Sequence, residues 1–182
     1  MTAKLFHSSI LGVVELISQP FTDDRGIFLN AFRSNEPAFA EAWGDRSITQ
    51  VNFSRTDSVG SVRGIHLQAT PHSEAKLVRC LRGRVWDVAV DLRLNSITYG
   101  KWHAVELSSD QSNCLIIPEG CGHGYQVLEP NSELLYLHSG EWVPNAETGI
   151  KFDDPHLCIS WPLAPLNVSK RDLELPLLEL NK

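Results

Sequence analysis

The sequence predicts an all-β fold, a sandwich or a barrel with a few short peripheral helices. Two observations predict it. Eight short runs, at 49–54, 62–68, 76–81, 84–92, 102–107, 113–117, 124–128 and 133–138, are rich in strand-forming residues and are closed by turn residues. Helical spacing is confined to two short segments. Within the series, Arg82-Gly83 separates two runs and predicts a hairpin. Ser34 is placed to cap the first helix, with Pro37 early in it and Phe39 and Trp43 four apart on one face. The second helix is expected to begin after Ser169. The tail at 173–182 is apolar and acidic and is expected to pack over the edge of the fold. No repeat, linker or low-complexity tract interrupts the 182 residues, so 1–182 is read as one domain.

A hydrophobic fraction of 42% and a charged fraction of 21% are ordinary for a folded chain. The formal net charge of -6 argues against a nucleic-acid partner, which requires a basic face. It leaves room for an anionic ligand, because a few arginines in one cleft outweigh a distant acidic surface. Cys80, Cys114, Cys121 and Cys158 form no C-x-x-C pair, so neither a zinc ribbon nor a dithiol redox site is indicated. Residues 1–16 lack the pattern of a secretory leader, and no run approaches the roughly 18 apolar residues of a membrane helix. The expectation is a cytoplasmic protein with reduced thiols and no membrane partner.

Several constellations can carry chemistry, and each has a plainer alternative. Alternation along 85–92 sets Asp87, Ala89 and Asp91 on one strand face and Trp86, Val88 and Val90 on the other. A solvated outer face gives that pattern, and so does the ligand cavity of a barrel. In Arg63-Gly64-Ile65-His66-Leu67-Gln68, the histidine can act as a general base near neutral pH and the arginine can hold a phosphate. Strict alternation sets Arg63 and His66 on opposite faces, and a bulge at Gly64 would bring them together. A histidine bonded to a structural neighbour is the alternative. Lys76 opens a strand on the face of Val78 and Cys80, either aimed inward at negative charge or resting at a solvated strand end. Tyr136 can exchange a proton as acid or base, or simply pack. Ser169-Lys170-Arg171-Asp172 has the form of a helix N-terminal box, in which Asp172 either completes the box or orients a histidine.

Ile117-Pro118-Glu119-Gly120-Cys121-Gly122-His123 contains P-x-G-x-x-H, which resembles the second signature of cupin barrels. Metal-binding cupins carry H-x-H and a glutamate in the first signature, where this chain has His66-Leu67-Gln68. His66 and His123 alone would make a poor transition-metal site, so a metal-free cupin is expected.

Segments along nearly the whole chain resemble the dTDP-4-dehydrorhamnose 3,5-epimerase family. They are FTDDRGIF at 21–28, QVN at 50–52, VRGIHLQ at 62–68, KLVRC at 76–80, GRVWDVAVDLR at 83–93, IPEG at 117–120, ISWP at 159–162 and SKRD at 169–172. The resemblance implies an all-β cupin jelly-roll barrel, free of metal and cofactor, assembled as a homodimer. It implies epimerisation of a nucleotide-diphospho-4-keto-6-deoxyhexose at C3, C5 or both, beside the C4 ketone, in deoxysugar biosynthesis. His66 is then the base, Asp172 its partner, and Tyr136 the proton donor on the opposite face of the ring. Lys76 and His123 would line the sugar pocket and stabilise the enolate oxygen. Arg25, Gln50, Asn52 and Arg63 would hold the nucleotide diphosphate, with Phe28 and Asn30 on the segment that carries Arg25. Family members exchange N-terminal strands, so Arg25 is expected to act on the partner's site.

The chain departs from the family pattern in two places. Asn30 stands where the family usually has glutamate, and an amide offers a donor that a carboxylate lacks. This opens CDP-linked as well as dTDP-linked sugars. Ser139-Gly140-Glu141-Trp142 replaces a stretch that usually carries tyrosines, leaving Trp142 to stack on sugar or base. Competing readings are an epimerase of C3 or C5 only, a related ketoisomerase, a sugar-binding cupin without activity, and a metal-dependent dioxygenase.

Overall fold

The computed structural model describes residues 2–179. Its strands are β1 (Ala3–His7), β2 (Val14–Ser18), β3 (Phe21–Asp23), β4 (Gly26–Phe28), β5 (Gln50–Thr56), β6 (Val62–Gln68) and β7 (Lys76–Arg82). They continue with β8 (Arg84–Asp91), β9 (Trp102–Ser108), β10 (Asn113–Ile117), β11 (Cys121–Val127), β12 (Ser132–His138) and β13 (Glu147–Gly149). Two short helices, α1 (Pro37–Trp43) and α2 (Lys170–Leu173), lie outside the sheets. A six-stranded sheet, β1-β2-β10-β7-β12-β5, faces a five-stranded sheet, β13-β6-β11-β8-β9, and β3 and β4 form a separate hairpin. Two facing sheets in this strand order form the jelly-roll barrel that the family resemblance implies.

The interior is apolar on one side and polar on the other. Val78, Leu115, Ile117 and Leu134 of the larger sheet meet Val85, Ala89, Leu107 and Val127 of the smaller one in a buried core. Leu77, Ile116 and Leu16 point out of the larger sheet and pack against Phe39 and Trp43 of α1. Trp43 is 1% exposed, and such burial typically stabilises by about 3 kcal/mol or more. The outer face of the smaller sheet carries Val88 and Val90 against Leu157 and Leu178. The C-terminal tail thus packs over this sheet as far as it is described, and 180–182 lie outside the described residues.

Three local expectations change. Arg82-Gly83 is not a hairpin, because β7 pairs with β10 and β12 while β8 pairs with β9 and β11. The chain passes from one sheet to the other at Gly83, whose φ of +73° is accessible to glycine. Ser132 Oγ steadies the crossing by accepting the Arg84 N–H at 3.1 Å. The cap of α1 is Glu36, not Ser34: its carboxylate accepts from Phe39 N and Ala3 N, tying the helix to β1. The N-terminal strands β1 to β4 were not read from the pattern of short runs. Ser169 does cap α2, accepting from Asp172 N at 3.1 Å.

All four cysteines are free thiols, and only Cys158 is exposed. Among the described residues no helix is long and apolar enough to cross a membrane.

Asp91 ties β8 to the loop after it. Its carboxylate accepts from Arg93 Nε and NH2 at 2.8 Å each, and from the Ser96 and Thr98 hydroxyls at 2.5 Å. Burial pushes this carboxyl up, but Arg93 and the two hydroxyls outweigh it and hold it well below the usual carboxylate range. A depressed carboxyl stabilises the fold fully above its unfolded pKa of about 3.9 and loses that contribution as pH falls through the native value. Asp91→Asn is therefore expected to cost about 3 kcal/mol or more at pH 7, because it leaves Arg93 without its charge partner. Thermal unfolding should show the gap between variant and wild type narrowing below about pH 4.

Candidate active site

The polar side of the barrel is a cavity of about 680 Å³ whose walls come from both sheets. Its geometry begins with a mismatch between β6 and β11. His123 pairs with His66, and Tyr125 pairs with Arg63, so Gly64 and Ile65 together oppose Gly124. That is a bulge, and it restores Arg63 and His66 to one face. Both residues line the cavity. Glycine is required at 64: φ is +112°, and a Cβ there would lie 2.5 Å from Gly124 Cα and 2.6 Å from the His123 carbonyl oxygen.

The bulge also presents Gly64 N–H to Asp172 Oδ2 at 3.2 Å. The other oxygen, Oδ1, lies 2.6 Å from His66 Nε2. Both alternatives for Asp172 therefore describe part of the truth. Its backbone belongs to the cap of α2, while its carboxylate orients a histidine. Burial raises this carboxyl, but the bond and charge of His66 and the Gly64 N–H hold it below its ordinary value. An ionised carboxylate only accepts, so the nitrogen it binds is held protonated and the other ring nitrogen carries the lone pair.

The remaining walls are supplied by alternation. On β8, Asp87 faces inward, fully buried, with its Oδ2 2.9 Å from His123 Nε2. Its face turns to the barrel interior, not to solvent, with Ala89 of the same face in the apolar core. On β12, Tyr136 and His138 share the inner face, their rings stacked with centroids 6.0 Å apart. Burial pushes the Tyr136 phenol well above its usual value. On β7, Lys76 points inward and is buried, with Nζ 3.6 Å from Glu74 Oε1. Burial lowers its amine, and Glu74 offsets only part of that. Glu74 Oε2 also lies 3.1 Å from His138 Nδ1, so one carboxylate serves two basic groups.

The mouth is lined by β5 and the loop after β12. Gln50 Nε2 donates to Asn52 Oδ1 at 3.0 Å, and Gln50 Oε1 accepts the Trp142 N–H at 3.0 Å. The Trp142 indole is half-exposed and donates to Glu147 Oε2 at 2.9 Å. Arg63 Nε donates to Thr56 Oγ1 at 3.1 Å. Thus His66, Asp172, Tyr136, Lys76, His123, Gln50, Asn52, Arg63 and Trp142 come together.

Arg25, Phe28 and Asn30 do not join them within the same chain. Arg25 sits at the exposed β3–β4 turn, paired with Asp23 at 2.5 Å. Phe28 is 60% exposed, and Asn30 lines a shallow recess beside Arg33 and Glu36. The sequence reading missed Glu74, His138 and Glu147. His138 had a usable signal, since it follows Tyr136 by two on the same strand. Among the described residues no three His, Cys, Asp or Glu side chains converge as metal donors.

A profile of the dTDP-4-dehydrorhamnose 3,5-epimerase family matches residues 7–179. The chain is 43% identical over 172 residues to the dTDP-4-dehydrorhamnose 3,5-epimerase of Pseudomonas aeruginosa, covering 93% of this chain and 92% of that protein. It is 39% identical over 176 residues to a dTDP-4-dehydrorhamnose 3-epimerase of Streptomyces niveus, covering 96% and 84%. The Bacillus anthracis dTDP-4-dehydrorhamnose 3,5-epimerase, solved with TDP and PPi bound, shares the fold with a TM-score of 0.92. That match is 30% identical and covers 97% of this chain and 100% of the other.

Proposed function

The chain belongs to the dTDP-4-dehydrorhamnose 3,5-epimerase family, and from that premise we propose that its cavity inverts carbons beside the C4 ketone of a dTDP-linked 4-keto-6-deoxyhexose. One observation carries this reading. His66 stands on the smaller sheet, backed by Asp172 of α2, and Tyr136 stands on the larger sheet across the cavity. Inversion needs a base on one face of a carbon and a proton donor on the other, and facing sheets supply both.

A proton beside a ketone is only weakly acidic. His66 takes it on its free nitrogen, and Asp172 stabilises the imidazolium that results. The electron pair moves to the C4 oxygen, where Lys76 and His123 meet the developing enolate charge. Such donors are typically worth about 100- to 1,000-fold each in a closed site. Tyr136 then returns a proton from the other face. Arg63, Gln50 and Asn52 lie at the mouth to hold the nucleotide diphosphate, and Trp142 offers a stacking surface. The relative solved with TDP and PPi supports a ligand of this class.

The homodimer belongs to the same proposal. β5 is a free edge of its sheet and exposes Val51 at 56% and Phe53 at 59%. The β3–β4 hairpin exposes Phe21, Ile27 and Phe28. Apolar strand edges of this kind are normally covered. A hairpin docked beside the partner's β5 covers both patches and brings Arg25, Phe28 and Asn30 to the partner's cavity. A second reading, inversion at C3 alone, is favoured by the likeness to the Streptomyces niveus 3-epimerase. Asn30 keeps CDP-linked sugars within reach, because an amide can pair with cytosine.

Two results are expected. With dTDP-4-keto-6-deoxyglucose in deuterated water, Tyr136→Phe should slow inversion by about 100-fold or more while solvent exchange at the ring carbon falls much less. Equal rates of inversion in variant and wild type would remove Tyr136 from the mechanism. Mixing Arg25→Ala with His66→Ala should restore activity that neither has alone, since hybrid dimers regain one complete site. No restoration, with light scattering showing a monomer, would contradict the shared site.

A further inference from the structure

A row of hydroxyl groups runs from β5 to β11 beside Tyr136. It begins at Arg63 Nε, which donates to Thr56 Oγ1 at 3.1 Å. Thr56 Oγ1 lies 3.0 Å from Tyr125 OH, which lies 3.4 Å from Ser54 Oγ, which lies 3.2 Å from Tyr136 OH. The Tyr125 ring belongs to the apolar core, where a phenyl ring would pack as well. Its hydroxyl bonds only within this row.

Counting protons gives the row a direction. Four hydroxyls bring four protons, and three contacts join them, so one proton points out of the row. The neighbour at the Thr56 end is a guanidinium, which has donors and no acceptor. A proton aimed there would lie beside a cation that offers it no acceptor, which disfavours that direction. The spare proton therefore belongs at the other end, on Tyr136, which lines the cavity.

We propose that Ser54, Tyr125 and Thr56, anchored on Arg63, are positioning residues that aim the Tyr136 proton into the cavity and receive the charge left on its oxygen. This rests on Tyr136 being the proton donor. In that step the Tyr136 O–H bond breaks and a C–H bond forms at the ring carbon from the enolate electron pair. The C4 carbonyl is restored, and the negative charge ends on the phenolate oxygen. Ser54 already donates to that oxygen, so the charge meets a hydrogen bond in place. Each link polarises the next, and the row ends on the positive charge of Arg63. Water returns the proton to the phenolate once product leaves.

The test compares inversion with exchange. Tyr125→Phe keeps the ring and removes the middle link. It should slow inversion by about tenfold, with KM and solvent exchange unchanged. Tyr136 is also faced by His123 from β11, His138 from its own strand, Asp87 from β8 and Lys76 from β7. These groups are the same in every variant compared. Thr56→Val should reproduce the effect, and Thr56→Ser, which keeps the hydroxyl, should restore wild-type behaviour. An unchanged inversion rate in Tyr125→Phe, equal losses of exchange and inversion, or no rescue by Thr56→Ser would each overturn the proposal. Intact inversion in Tyr136→Phe would instead sink the assignment of the donor on which it rests.

Discussion

Strands β6 and β11 approach so closely at Gly64 and Gly124 that neither residue has room for a side chain. This contact does three things at once. It inserts one extra residue into β6, which turns Arg63 and His66 to the same face. It exposes a backbone N–H that Asp172 accepts, so the short α2 docks against the barrel. Through that docking it places a carboxylate on His66. A strand of regular alternation would aim either the arginine or the histidine into the cavity, but not both.

Around this contact the cavity is lined by carboxylate–histidine pairs. Asp172 meets His66 at 2.6 Å, Asp87 meets His123 at 2.9 Å, and Glu74 meets His138 at 3.1 Å. All three carboxylates are buried, and a buried charge is tolerated only when it is paired. The pairs differ in their surroundings. His66 keeps part of its ring open, 27% exposed, whereas His123 and His138 are enclosed. On the proposed function, the open member is the one that meets the substrate carbon. The enclosed ones, with Lys76, form a wall rich in donors where an enolate oxygen can be received.

Much of this was legible in the sequence, for identifiable reasons. Period-two alternation correctly assigned Lys76, Val78 and Cys80 to one face, and Asp87, Ala89 and Asp91 to another, because a pleated strand obeys it. Gly64 flagged the bulge, since glycine within a strand usually marks a close approach or an extra residue. What escaped depended on distant partners. The Arg82-Gly83 turn looks like a hairpin locally, but pairing is decided by strands far along the chain. Glu74 precedes its strand and becomes part of the site only through Lys76 and His138. The Tyr125 hydroxyl gains its neighbours Ser54 and Thr56 from a strand about 70 residues away, which no local pattern reveals. Arg25, Phe28 and Asn30 were read from family resemblance, and a single chain gives them no place in its own cavity.

The account stands on one histidine removing the proton beside the ketone. The measurement that addresses this most directly is deuterium uptake from solvent at C3 and C5 of dTDP-4-keto-6-deoxyglucose, followed by NMR for wild type and His66→Ala. The account predicts uptake by wild type at one or both carbons and a loss of about 100-fold or more in the variant, with the fold intact by circular dichroism. Uptake by His66→Ala at the wild-type rate would contradict it.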